Sequence, residues 1–110
     1  MATKSHKILQ SKAAGRTGRI EVPLPSGRRI DARSSSGILT EVQRLCGGIP
    51  QSVSRLKEGL ESGTGRKARL RVPPNCVAGA YREMRRQRVR GEIVPISQPR
   101  AKVYVPKRRG

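Results

Sequence analysis

Apolar residues at every second position mark the stretch from Arg19 to Leu24 as a half-buried strand, with Ile20, Val22 and Leu24 on one face. Pro25-Ser26-Gly27 follows with turn chemistry, and a second strand from Arg28 to Arg33 ends in the turn formers Ser34-Ser35-Ser36-Gly37. The third strand, Ile38 to Leu45, alternates Ile38, Thr40 and Val42 against Leu39, Glu41, Gln43 and Leu45, so Glu41 and Gln43 share a face. After Gly47-Gly48 the period lengthens. Pro50 suits a first helical turn, Val53, Leu56 and Leu60 recur at spacings of three and four, and Gly63 ends the helix.

Lys67 to Val72 returns to alternation, with Ala68, Leu70 and Val72 inward and Lys67, Arg69 and Arg71 outward, until Pro73-Pro74 stops it. Asn75 then reads as the cap of a second helix whose apolar stripe is Val77, Ala80, Tyr81 and Met84, closed by Gly91. Two short strands, Glu92 to Ile96 and Lys102 to Val105, complete a single domain over residues 19–106. Residues 1–18, with Ile8 and Leu9 as their bulky apolar pair, fit a short helix or a basic linker equally well, and 107–110 form a basic tail. The predicted class is α/β (α+β): a small mixed sheet with flanking helices.

Composition adds a partner to this outline. The chain carries 25 Lys plus Arg against 7 Asp plus Glu, a formal charge of +18, and nucleic acid is the usual partner for such a balance. Neutralising phosphates releases condensed counterions, which makes binding salt-dependent and largely blind to base sequence. With no Phe and no Trp, the core rests on aliphatic side chains, and only Tyr81 and Tyr104 are available for stacking on bases. Tyr81 sits at a core spacing. Cys46 and Cys76 show neither zinc spacing nor a disulfide framework, so buried free thiols are expected. No apolar run has the length of a signal peptide or a membrane span. The expectation is a soluble domain acting in the cytoplasm as a monomer or small oligomer.

The candidate chemistry lies in the carboxylates. Asp31, the only aspartate, precedes Glu41 by ten positions, and Gln43 follows Glu41 on the same strand face. A hairpin bearing Asp, then Glu-x-Gln, then a helix and a further strand resembles the core of the PD-(D/E)XK nuclease superfamily, the restriction-endonuclease-like fold, over residues 19–72. The resemblance implies that Asp31 and Glu41 hold a divalent metal, Mg²⁺ or Mn²⁺, and that Gln43 occupies the position of the lysine that orients or activates the attacking water. Gln is a departure, because an amide is neither a base nor a cation. Some nucleases of the superfamily nonetheless place Gln there.

Glu21 is a candidate further ligand, since members of the family recruit an upstream acid, usually from the first helix. Arg29 and Arg33 share the strand face of Asp31 and could clamp a phosphate, and Gln51 and Arg55 lie where such enzymes place phosphate contacts. Arg82, Arg85, Arg86 and Arg88, within the run that ends at Arg90, read as a phosphate-tracking face of one sign. The basic charge and compact core also resemble C-terminal toxin domains of bacterial polymorphic or contact-dependent systems, which implies an acidic immunity protein as partner and the target cell's cytoplasm as the place of action.

Two function classes follow. One is a metal-dependent nuclease acting on DNA, or RNA. The other is a non-enzymatic nucleic-acid-binding protein, ribosomal-like or chromosomal, in which Asp31 and Glu41 only form cross-strand ion pairs with Arg28, Arg29 or Arg33. His6, alone in a polar terminus, and Gly15-Arg16-Thr17-Gly18, which lacks the strand and lysine of a phosphate loop, do not point to chemistry.

Overall fold

The computed structural model describes residues 4–15 and 18–106, with side chains from residue 7 onward. The His6 side chain, Arg16 and Thr17, and the basic tail lie outside the described residues. Helix α1 (Lys4–Ala14) leads into strands β1 (Arg19–Pro23), β2 (Arg29–Arg33) and β3 (Ile38–Val42). Helix α2 (Ile49–Glu61), β4 (Lys67–Val72), α3 (Val77–Arg86), β5 (Gly91–Pro95) and β6 (Val103–Val105) follow. All six strands form one sheet in sequence order, antiparallel from β1 to β3, parallel from β3 to β5, and antiparallel at β6. The parallel steps are the ones bridged by helices, as a crossover requires.

Helices α2 and α3 cover one face of the sheet, and α1 lies on the other face over β1 to β3. The core is aliphatic: Ile30, Leu39, Val53, Leu56, Leu70, Met84 and Ile93 are fully buried between the sheet and the two helices. Under α1 the packing is finer, with Ala13 and Ala14 against Ala32. The N-terminal alternatives thus resolve in favour of a helix.

Several boundaries differ from the sequence reading. Ile20 is 43% exposed because Glu21 adopts φ 51°, which interrupts the alternation of β1 between the pairs Ile20–Ala32 and Val22–Ile30. β3 ends at Val42, three residues early, where the chain turns into a 3₁₀ segment, Cys46–Gly48. Asn75 does not cap α3; it lies in a second 3₁₀ turn, Pro74–Cys76, and Cys76 takes the cap position without a side-chain bond. α3 ends at Arg86, not at Gly91. Arg88 supplies the left-handed residue at φ 61°, Val89 N–H returns to Met84 O at 2.8 Å, and buried Val89 seals the end of the helix. Gly91 instead opens β5, where a Cβ would stand 2.3 Å from the Ala68 carbonyl oxygen.

The cysteines are joined. Cys46 follows β3 and Cys76 follows β4, and because those strands are parallel neighbours their C-terminal ends lie side by side. A disulfide spans 30 residues with Cα atoms 5.4 Å apart, in place of the free thiols expected from sequence.

Candidate functional site

The ladder between β2 and β3 holds at Arg33–Leu39 and Ala32–Thr40 and then opens. At the next position side chains replace the backbone partners. The Asp31 N–H donates to Glu41 Oε2 at 2.8 Å, and the Val42 N–H donates to Asp31 Oδ2 at 2.7 Å. Each carboxylate thus satisfies a strand N–H that the open ladder would leave orphaned. The alternation of β2 also breaks here, since Ile30 joins the core under α2 whereas Ala32 packs against α1. Arg29, Asp31 and Arg33 therefore do not share the one face predicted for them.

Helices on both sides close on this opening. From α1, Gln10 Nε2 donates to Asp31 Oδ1 at 3.2 Å. From α2, Arg55 Nε donates to Glu41 Oε1 at 2.7 Å. Ser52 Oγ accepts from Gln43 Nε2 at 3.1 Å and from the Arg55 guanidinium at 3.3 Å. The Gln43 amide is fixed at its other end as well, accepting from the Leu45 N–H at 3.1 Å. Gly48 makes room for it, because a Cβ there would stand 2.3 Å from Gln43 Nε2.

The buried polar side chains among the described residues are Gln10, Thr40, Glu41 and Ser52, and all belong to this stretch of the sheet and its two covering helices. Thr40 Oγ1 has no hydrogen-bond partner. Burying polar groups in an aliphatic core costs stability unless each is satisfied. Their concentration at one point is not what a core selected for stability alone would carry.

Glu41 is 1% exposed, and burial pushes its carboxyl up to about 8, with the nearby Asp31 charge acting in the same direction and Arg55 opposing both. A consequence for stability follows from the sign. The folded protein binds a proton on Glu41 more tightly than the unfolded chain does, so stability is full below the ordinary value of 4.5 and falls as pH rises towards about 8. Urea midpoints measured in EDTA from pH 5 to pH 9 are expected to decline up to about pH 8 and to level off above it.

No family model, curated protein or solved structure matches the chain. The site therefore stands on its own geometry. Asp31 and Glu41 lie side by side, and Gln43 is linked to them through Ser52 and Arg55, the latter pairing with Glu41 and not facing outward for phosphate. Glu21 is exposed on the edge strand, and among the described residues no three His, Cys, Asp or Glu side chains converge. Arg29 and Gln51 are exposed, while the Arg33 Nε is buried without a partner. Arg28 pairs with Glu58 of α2 at 2.9 Å, tying the β1–β2 turn to that helix.

On α3, Arg82, Arg85 and Arg86 are exposed, but Glu83 lies among them and pairs with Arg86, so the run is not of one sign. Arg85 lies 5.9 Å from the Tyr81 ring centroid. Gln10 and Ser52 are the functional candidates not picked out from sequence. Ser52 had a signal: it falls on the buried stripe Ile49, Val53, Leu56 of α2, where a hydroxyl has no packing advantage. Gln10 had none, because its helix has little apolar periodicity.

Proposed function

We propose that this chain is a divalent-cation-dependent nuclease in which Asp31 and Glu41 are the metal ligands and the surrounding arginines hold the phosphate backbone. The observation that carries the reading is the gathering of buried polar side chains onto one carboxylate pair, at the point where the β2–β3 ladder opens. The element order supports it. A helix, three antiparallel strands, a helix and a parallel strand, with Asp in β2 and Glu-x-Gln in β3, is the layout expected from the resemblance to the PD-(D/E)XK superfamily.

The donor set fits a small hard cation. Mg²⁺ characteristically takes one or two carboxylates and completes its shell with waters and substrate phosphates, so a third protein acid is not required. Glu41 accepts one N–H bond at each oxygen, which leaves each a second lone pair. A bound Mg²⁺ or Mn²⁺ would neutralise charge on the phosphate and supply a water acidic enough to attack at neutral pH.

The chain's own residues divide the remaining work. Gln43, held by Ser52 and by the Leu45 N–H, is a neutral positioning group and not a base. Arg55 places a fixed positive charge beside Glu41, which compensates for the absence of lysine at position 43. Gln10 holds Asp31 from the opposite helix. DNA is the favoured substrate, and the basic domain fits a delivered bacterial toxin neutralised by an acidic immunity protein. No helix among the described residues is long and apolar enough to cross a membrane.

The Arg55–Glu41 pair also favours a second reading, in which the carboxylates are structural and the protein only binds nucleic acid. Cleavage of plasmid DNA and of RNA in Mg²⁺ and in EDTA, by wild type and by Asp31→Asn, separates the two. Cation-dependent cutting lost in Asp31→Asn is expected. Cutting that survives the substitution, or its absence under every condition beside cation-indifferent binding, would remove the nuclease reading.

A further inference from the structure

The sheet face away from α2 and α3 is covered by α1 only over β1 to β3. Over β4, β5 and β6 it forms a cavity of about 750 Å³, lined among others by Arg66, Lys67, Arg69, Arg90, Lys102 and Tyr104. Alternation in β4 explains the charge: Ala68, Leu70 and Val72 are buried beneath the helices, which turns Lys67, Arg69 and Arg71 outward. Glu92 is the acidic residue of the lining, and it is already shared between Arg69 and Lys102. The cations are left in excess.

A further observation indicates what they await. Tyr104 is 65% exposed on the edge strand, with Lys102 Nζ 5.6 Å from its ring centroid. An aromatic ring left open beside a cationic groove offers a surface on which an unpaired base can stack.

We propose that this groove binds single-stranded nucleic acid, with phosphates on Arg66, Arg69 and Arg90 and a base stacked on Tyr104. Duplex DNA fits less well, because its bases are already stacked on one another, and an acidic peptide would make no use of the ring. The groove lies at the N-terminal ends of β4 and β5, whereas the carboxylate pair faces the opening between β2 and β3. The proposal therefore does not depend on the nuclease reading.

Fluorescence anisotropy with labelled oligothymidylate, and with a duplex of equal length, tests it in EDTA, where neither cutting nor cation binding intervenes. Single strands are expected to bind more tightly than duplex. Tyr104→Ala should raise the single-strand Kd at least about fivefold, with Tyr104→Phe retaining most of the affinity. The double variant Arg66→Gln/Arg90→Gln should reduce the slope of log K against log salt by about 1.4, whereas the charge-matched Lys7→Gln/Lys12→Gln on α1 should leave it unchanged. Equal slope losses in the two double variants, an unaffected Tyr104→Ala, tighter duplex binding, or equal displacement by polyglutamate would each overturn the proposal.

Discussion

Glu41→Gln is expected to lower cation-dependent cleavage by at least about a hundredfold while the domain stays folded. The amide keeps the volume of the carboxylate, so the packing between β3 and α2 does not change. Its chemistry does. Glu41 accepts at both oxygens, from Arg55 Nε and from the Asp31 N–H, and an amide can present an acceptor to only one of them. The other donor then faces an NH₂ group, which costs about 1–3 kcal/mol. A neutral residue also leaves Asp31 as the sole carboxylate of the pair. Denaturation in urea beside a cleavage assay distinguishes this from unfolding, since activity must fall far more than the folded fraction. The same variant should flatten the decline in stability between pH 4.5 and about 8, because the titrating group is gone. Unchanged cleavage would transfer the carboxylates to a purely structural role.

Removing the disulfide is expected to have the largest effect on stability. Cys46→Ser/Cys76→Ser releases a closed loop of 30 residues, for which chain entropy alone predicts a loss of about 3.5 kcal/mol. For a domain of this size that corresponds to a fall in Tm of more than about 10 °C. The margin is narrow for two further reasons: the core contains no Phe or Trp, and a formal charge of +18 repels itself in the compact state. Calorimetry of both proteins with and without dithiothreitol checks the origin of the loss. Reductant should bring the wild type down to the variant and leave the variant where it was. A wild type unmoved by reductant would mean that the link contributes little.

Much of the sheet was legible because its signals are local. The residues of β4 follow from the alternation Lys67 to Val72 bounded by Pro73, and α2 follows from Pro50 and the spacing of Val53, Leu56 and Leu60. Asp31, Glu41 and Gln43 were likewise visible, since acids are rare in so basic a chain and two of the three residues share one strand face. The misjudged points depend on contacts or backbone geometry that residue type does not reveal. Ile20 reads as inward until Glu21 takes a left-handed conformation, and Gly91 reads as a helix terminator until Arg88 performs that task and Ala68 claims the space beside the glycine.

By itself the chain's pattern determined the element order from β1 onward, the aliphatic core and the excess of positive charge, because periodicity and composition are properties of neighbours in sequence. Tertiary structure alone decided that Cys46 and Cys76 meet, that Arg55 turns inward to Glu41, and that Gln10 reaches Asp31 across 21 residues. It also decided which outward arginines of β4 face a groove and which acid neutralises them. The physical reason is common to all of these: parallel crossovers and an opened ladder bring distant residues within hydrogen-bond distance, and no local pattern encodes that meeting.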